Sequence, residues 1–383
     1  MSEEENLVEE QKLAKARLSE FVTNKGEDKQ IIHFNSFAGS GKTTTLRQLV
    51  KSLNLQGKNG VMMAYTGRAS AHLSKSGLSA STCHSILYQP VLDKEGNLIE
   101  FEEKDIDEIR ETCGDFIIVD ESSMLPKDIH DVLVSTKLPI IYAGDTCQLP
   151  SVSEDSFCVF DDDTKETISL TINHRTDSSL EGIVNLAAHL RNTNSIPRRK
   201  GAGLRMVPKA KAFNRSFFDD NYFDIVLCGM NKTRKLLNER IRQSMGFDDP
   251  LPSVGEIVVC LQNTIIKGEK IYNGERFEVL TITGTMLSKN LHLYQLKSKD
   301  FYDKVVFVHI ADETWETERT PRGMNYRQIP PFAYGYALST HKAQGSTFDS
   351  VLFVDEDVSF FLDQQKFRYT AITRAAQELT VGL

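Results

Sequence analysis

The segment FNSFAGSGKTTTLRQLV, residues 34–50, decides the fold. Within it SFAGSGKT (Ser36–Thr43) matches the phosphate-binding pattern GxxxxGK[ST] at every position but the first, where Ser36 stands in place of glycine. An apolar run, KQIIHFNSF, leads into it, and Leu46, Leu49, Val50 and Leu53 follow at helical spacing. A strand, a glycine loop and a helix in that order form an anion cradle, because loop and helix N-terminal N–H groups converge on a phosphate. Gly39 and Gly41 let the backbone approach closely, Lys42 reaches the β and γ phosphates, and Thr43 reaches magnesium. The expected nucleotide contacts are therefore Ala38, Gly39, Ser40, Gly41, Lys42, Thr43 and Thr44, with ATP and Mg2+ as cofactors.

Outward from this loop, apolar strands recur, each running into a polar or glycine-bearing turn: GVMMAYTG, DFIIVDES, LPIIYAGD, and later DIVLCGMN, AYGYALST and SVLFVDED. Nearly continuous apolar strands alternating with helices indicate parallel sheets covered on both faces. The chain of 383 residues exceeds one ordinary core. Strand clusters at 30–145 and 222–383 suggest two α/β domains. Between Val254 and Ile329 the pattern changes to GEIVVCLQN, GERFEVLTITG, LHLYQLKS and KVVFVHIAD, which reads as a small antiparallel β insertion. Tyr88–Lys104 reads as a hairpin turning at KEGN.

DFIIVDESS supplies Asp120 and Glu121 at a strand end. Adjacent carboxylates on an extended chain point to opposite sides, so Asp120 is expected to hold magnesium through water and Glu121 to polarise the attacking water. AGDTCQLPSV places Gln148 after the next strand, where it could sense the γ-phosphate. Arg374, in RYTAITRAAQELTV, and Arg175, in LTINHRT, are candidate cations for the γ-phosphate in the manner of an arginine finger.

Composition narrows the class. Hydrophobic residues make up 40% and charged residues 26%, and no apolar run approaches the roughly 18 residues of a membrane span. The acidic MSEEENLVEEQ start lacks a signal-peptide pattern, so a cytoplasmic protein with no membrane partner is expected, in the host cytoplasm if the source is a bacteriophage. Six scattered cysteines offer no CxxC pair for zinc. A net charge of −8 does not exclude nucleic acid, because binding depends on local basic patches.

The phosphate loop, DESS, GDTCQLP, HKAQGSTFD and AITRA occur in the order found in superfamily 1 helicases, and the chain resembles the branch containing bacteriophage Dda and bacterial RecD. STCHSIL after AYTGRAS, and GYALSTHKAQGSTFD, carry that resemblance. It implies two RecA-like P-loop domains that close on ATP while moving along single-stranded DNA, 5′ to 3′, toward forked duplex DNA. It assigns residues 1–155 to the first domain with its hairpin insertion at 88–104, 156–253 and 331–383 to the second, and 254–330 to an SH3-like β insertion. Gln11 becomes the adenine reader and Gly345 a nucleotide contact; Thr66, His84, Asn231, Thr340, His341 and Lys342 become nucleic-acid contacts. The hairpin becomes a strand-separating pin, with Val91, Leu92, Leu98, Ile99 and Phe101 as its apolar base. A monomer is expected, with a single-strand-binding or replication protein as a further partner. An RNA helicase and an ATP-gated binding module that never unwinds remain alternatives; a small-molecule kinase would not need the later motifs.

Overall fold

The computed structural model describes residues 7–24, 30–92, 98–150, 157–173, 178–284, 290–301, 303–325 and 327–383. They form two compact α/β units, Met1–Thr176 and Asp177–Leu383. No helix of the described residues is long and apolar enough to cross a membrane.

In the first unit the strands are β1 (Ile31–Ser36), β2 (Val61–Ala64), β3 (Ala80–Thr82), β4 (Tyr88–Leu92), β5 (Leu98–Glu103), β6 (Ile117–Asp120), β7 (Ile140–Gly144) and β8 (Glu166–Leu170). Six of them make a parallel sheet in the order β3-β2-β6-β7-β1-β8. Alternate residues of one strand enter opposite layers, which is why the inner strands β2, β6 and β7 read as nearly unbroken apolar runs. Ile118 packs with helices α1 (Glu9–Thr23), α2 (Lys42–Leu55) and α3 (Gly67–Lys75) through Leu18, Leu46, Leu49 and Leu73. Ile117 and Val119 pack on the other face with α4 (Cys83–Leu87), α5 (Ile106–Cys113) and α6 (Lys127–Ser135) through Leu87, Ile109 and Leu133.

Strand β8 moves the expected boundary at 155. ETISL pairs with β1 from Ile32↔Glu166 to Ser36↔Leu170, so residues up to Thr176 belong to the first unit. As an edge strand burying only Ile168 and Leu170, it has too little apolar character to stand out in sequence.

The hairpin β4–β5 pairs from Tyr88↔Glu103 to Leu92↔Leu98, and its expected DKEGN turn lies outside the described residues. Its foot is held by Tyr88 against the core and by Lys104 N–H donating to Leu87 O at 2.9 Å. Phe101, expected in an apolar base, is 57% exposed instead.

The second unit contains β9 (Leu204–Val207), β10 (Ile225–Cys228), β11 (Ile257–Cys260), β12 (Thr264–Ile266), β13 (Glu269–Ile271), β14 (Arg276–Gly284), β15 (Leu291–Ser298), β16 (Val305–Ala311), β17 (Phe332–Tyr334), β18 (Ala337–Ser339), β19 (Phe348–Val354) and β20 (Ala375–Gly382). A parallel sheet runs β18-β10-β19-β20-β9, and an antiparallel sheet runs β16-β15-β14-β11-β17. Its helices are α7 (Glu181–Asn192), α8 (Arg215–Asp219), α9 (Asn231–Ser244), α10 (Glu313–Thr317) and α11 (Gln364–Ile372). The antiparallel sheet does not end at residue 330, because Phe332–Tyr334 pairs with β11 from Cys260↔Phe332 to Val258↔Tyr334. AYGYALST, which reads as one strand, is therefore two. The chain leaves one sheet at Gly335, whose N–H donates to Ile257 O at 2.8 Å, and enters the other at Ala337.

A buried ion pair ties the two sheets of this unit. Arg242 of α9 donates from Nε to Glu256 Oε1 at 2.6 Å and from a terminal nitrogen to Glu256 Oε2 at 2.9 Å. Its guanidinium lies 3.9 Å from the Tyr334 ring centroid, and Glu256 is fully buried. Removing one partner of such a pair leaves a charge without water or counter-ion. Arg242→Ala should cost about 3–5 kcal/mol. Urea unfolding followed by Trp315 fluorescence checks this, since the one tryptophan packs in the antiparallel-sheet core. An unchanged midpoint would mean the pair does not hold the sheets together.

Candidate active site

The phosphate loop leaves β1 at Ser36 and becomes α2 at Lys42. Gly39 and Gly41 take left-handed φ values of 84° and 87°, which non-glycine residues rarely adopt. Space is also closed to a side chain at both positions: a Cβ at Gly39 would stand 2.7 Å from Asn173 Oδ1, and one at Gly41 only 2.2 Å from Gln11 Nε2. The family pattern's first glycine is not required here. Ser36 has no positive φ, and its hydroxyl is paired at 2.7 Å with that of buried Ser40, which donates to Phe37 O at 2.8 Å.

Lys42 Nζ lies 2.6 Å from Asp120 Oδ1 and 2.8 Å from Glu121 Oε1. Burial pulls the amine's pKa down, but the two carboxylates outweigh it and hold Lys42 well above the usual lysine range. The expectation that the two acids point apart fails for a local reason. Glu121 is not extended but left-handed, at φ 52° and ψ 36°, so both acids reach one amine. A glutamate at positive φ carries strain of order 1–3 kcal/mol, offset here by the ion pair and by Glu121 N–H donating to Asp120 Oδ1 at 2.9 Å.

Gln148 is buried, and its Oε1 has no hydrogen-bond partner among the described residues. Its Nε2 lies 3.4 Å from Asp145 Oδ2, which also accepts from Ala38 N–H at 3.1 Å, while Asp145 Oδ1 accepts from Cys147 N–H at 3.0 Å. Asp145 thus links the phosphate loop to Gln148, a role its place in GDTCQLP does not announce. Asn173 also escapes a motif reading: its Nδ2 donates to Ala38 O at 3.1 Å. Gln11 lies against the same loop, donating from Nε2 to Ser40 O at 2.9 Å and accepting from Val8 N–H at 3.2 Å. Thr43 is half-buried and Thr44 exposed. Arg175 lies outside the described residues.

Among the expected nucleic-acid contacts of this unit, His84 is exposed, with the Tyr65 and Tyr88 rings at 5.8 and 5.6 Å. Thr66 caps α3, its hydroxyl accepting from Ala69 N–H at 3.2 Å.

In the second unit, Thr340, His341 and Lys342 share one short helical turn. Thr340 is buried and donates to Cys228 O at 3.3 Å, whereas His341 and Lys342 are half-buried. Burial holds the pKa of both His341 and Lys342 below the usual value, for Lys342 with help from Arg234. Exposed Asn231 opens α9 and accepts from Arg234 Nε at 3.3 Å. Arg374 is buried, donating from Nε to Thr370 O at 3.1 Å and from its terminal nitrogens to Ser346 O at 3.2 Å and Thr373 Oγ1 at 3.1 Å. Gly345, one residue before Ser346, is left-handed at φ 72°.

These features define a protein of the P-loop NTPase class. Residues 15–199 match the family model described as an AAA domain, and residues 334–381 match that of a UvrD-like helicase C-terminal domain. The chain is 29% identical over 286 residues to the ATP-dependent DNA helicase dda of Enterobacteria phage T4, covering 68% of this chain and 63% of that protein. The chain thus spans less than two thirds of the phage relative's length. It is 22% identical, over 96% of its own length and 98% of the other's, to an uncharacterized protein of Acanthamoeba polyphaga mimivirus. Its fold is similar to that of Pif1 helicase at forked double-stranded DNA (TM-score 0.61, 19% identity, 98% of this chain and 92% of that one). It is also similar to Bacteroides Pif1 in complex with ADP-AlF3 and single-stranded DNA (TM-score 0.60, 20% identity, 98% and 92%). By these comparisons the chain is similar in sequence to the phage helicase dda and in fold to Pif1 helicases.

The Lys42 ion pairs generate a stability prediction with a definite pH sign. Lys42→Ala leaves Asp120 and Glu121 side by side without their cation, so burial and mutual repulsion raise the carboxyl pKa in the folded variant. A group raised on folding contributes its stability below its unfolded pKa and loses it as pH rises through the folded value. The variant should therefore be destabilised by about 3 kcal/mol at pH 7, with the deficit shrinking as pH falls toward the ordinary carboxylate range. Thermal unfolding of both proteins across that range is the check; a deficit independent of pH would contradict the pairing.

Proposed function

We propose that this chain is an ATP-driven DNA helicase that moves 5′ to 3′ along single-stranded DNA and opens duplex at a fork. The observation that carries the reading is the convergence of Lys42, Asp120 and Glu121 on the phosphate loop, in a chain similar to the dda and Pif1 helicases. Two features fit ATP with magnesium: the left-handed glycines that curl the loop, and a buried Gln148 carbonyl with no partner among the described residues. Thr43 and Asp120 would hold the metal, which neutralises phosphate charge when bound. Lys42 exchanges its carboxylates for the β and γ phosphates, freeing Glu121 to orient and deprotonate water. Gln148 reports the γ-phosphate to the loop through Asp145. Arg374 and Arg175 supply transition-state charge stabilisation. Gln11, already against the loop, reads the adenine.

Single-stranded DNA runs over Thr66 and His84 in the first unit and over Asn231, Thr340, His341 and Lys342 in the second. The SH3-like identity of the antiparallel insertion and the pin role of the β4–β5 hairpin belong to the same reading. Each base-pair step requires roughly 0.6–2.2 kcal/mol, a small load for one ATP. DNA is favoured over RNA by the phage DNA helicase relative and by the solved Pif1 complexes with single-stranded and forked DNA.

Glu121→Gln should retain ATP and reduce single-strand-stimulated turnover by 100-fold or more, on the order of a lost general base. Unchanged turnover would remove Glu121 from the chemistry. Forks bearing only a 5′ or only a 3′ tail test direction: the 5′-tailed fork should open preferentially, and the reverse preference would refute the polarity. Replacing residues 92–99 with a Gly-Ser turn should spare DNA-stimulated ATPase and sharply reduce fork unwinding; equal unwinding per ATP would show that the hairpin is not the pin.

A further inference from the structure

Two surface features of the second unit have no part in the reading above. The first is a concavity of about 320 Å³ between α7 and the segment that follows it. Leu186, Pro197 and Leu204 give it an apolar lining, and His189, Arg199 and Lys200 line it with nitrogen-bearing side chains. The basic side is built onto a fixed backbone. Gly182 N–H donates to Ala202 O at 3.0 Å, and the chain at Gly201 packs directly on Gly182, where a Cβ would stand 2.7 Å from Cα. Three consecutive cations, Arg198, Arg199 and Lys200, are exposed here in a protein of net charge −8.

The second feature is a pair of aromatic rings in the turn between β19 and α11. Phe360 is 75% and Phe361 49% exposed, with ring centroids 4.6 Å apart. The turn is tight, with Phe361 and Leu362 N–H both donating to Val358 O at 3.0 and 2.9 Å. Exposed Asp357 and Asp363 flank the rings. Large adjacent apolar side chains held in solvent mark an interaction surface. Acid neighbours make nucleic-acid phosphate an unfavourable partner for them.

We infer that these features are the two halves of one interface between copies of this chain, the Phe360–Phe361 knob of one copy entering the Arg199–Lys200 concavity of another. The apolar lining receives the rings, and the cations meet Asp357 and Asp363. A phosphate backbone would need no apolar lining. Neither phenylalanine lines the concavity of its own chain, and both stay exposed, so the match is not satisfied internally. Because knob and concavity are different patches of one unit, the contact either closes reciprocally into a pair or extends head to tail. Its small area makes it transient, suited to copies brought together on one nucleic acid.

Sedimentation velocity of the full chain over about 1–100 μM, the range of a weak interface, tests this at low and high salt. The parent should associate reversibly, more weakly in high salt. Phe360→Ala/Phe361→Ala and Arg199→Glu/Lys200→Glu should each weaken association at least tenfold, leaving single-copy ATPase unchanged. An equimolar mixture of the two variants should regain association, because one retains the concavity and the other the knob; this recovery also shows that both variants are folded. The inference is overturned by a parent that stays monomeric throughout, by variants that associate like the parent, or by a mixture that does not recover. It is equally overturned if the charge-reversed variant loses affinity for oligo(dT) while its self-association is intact, which would make the concavity a nucleic-acid contact.

Discussion

A lysine held between two carboxylates requires a scaffold that brings side chains from two distant stretches of chain to one point. Lys42 and Glu121 are 79 residues apart in the chain and 2.8 Å apart in space. The parallel order β3-β2-β6-β7-β1-β8 makes that possible, because every strand ends on the same edge and the loops after β1 and β6 both emerge there. Holding charge away from water demands that each partner be satisfied. The two apolar layers, the left-handed Glu121 and the Asp145 link all serve that requirement. The loop is therefore braced by the protein before any phosphate is considered.

What was readable in the sequence follows from where chemistry fixes residue type. The phosphate loop demands glycine at left-handed positions and a lysine at the helix start, so SFAGSGKT was legible along with the strand and helix around it. The central strands were legible because burial on both faces leaves them few polar residues. Glu121 was misread because its conformation is imposed by the ion pair with Lys42, a tertiary constraint that no local pattern records. Strand β8 was missed because an edge strand exposes alternate residues and looks like a loop. Gly335 hid a sheet crossing, since two three-residue strands separated by Gly335 and Tyr336 read as one apolar run. Asp145 stands at a strand end without an assigned role, and Asn173 lies in no motif, for a different reason: their work is bracing backbone, which many residues can do.

In the second unit a single sequence motif mixes inward-turned residues with more accessible ones. In STHKAQGSTFD, Thr340 turns inward to Cys228 O while His341 and Lys342 remain half-buried. Beneath them, Arg234 is almost fully buried and paired with Glu318, itself left-handed at φ 57° just after α10. The antiparallel insertion thereby supplies the counter-ion for a cation of α9. Glu356 performs a similar service at the start of that helix, accepting from Gly229 and Met230 N–H at 2.7 and 3.0 Å, where a helix N-terminus favours negative charge. The position of Asn231 at the opening of α9 thus depends on a carboxylate 125 residues downstream, outside any motif that contains it.

Within this unit, the groups assigned to ATP and to the strand are mechanically joined. Arg374 donates to Ser346 O, Ser346 N–H donates to Ala343 O at 3.1 Å, and Ala343 closes the same turn that carries Thr340, His341 and Lys342. Left-handed Gly345 lies inside this short connection, where the chain turns sharply. Coupling between sites needs a physical element that both can bias, and three hydrogen-bonded residues are a compact one. If Arg374 exchanges Ser346 O and Thr370 O for a phosphate, the carbonyl it leaves belongs to the segment immediately after the proposed strand contacts. The helical turn then loses one of the bonds that fix its exit. On the proposed assignments, nucleotide state would reach the strand contacts through a few ångströms of backbone, with no distant relay required.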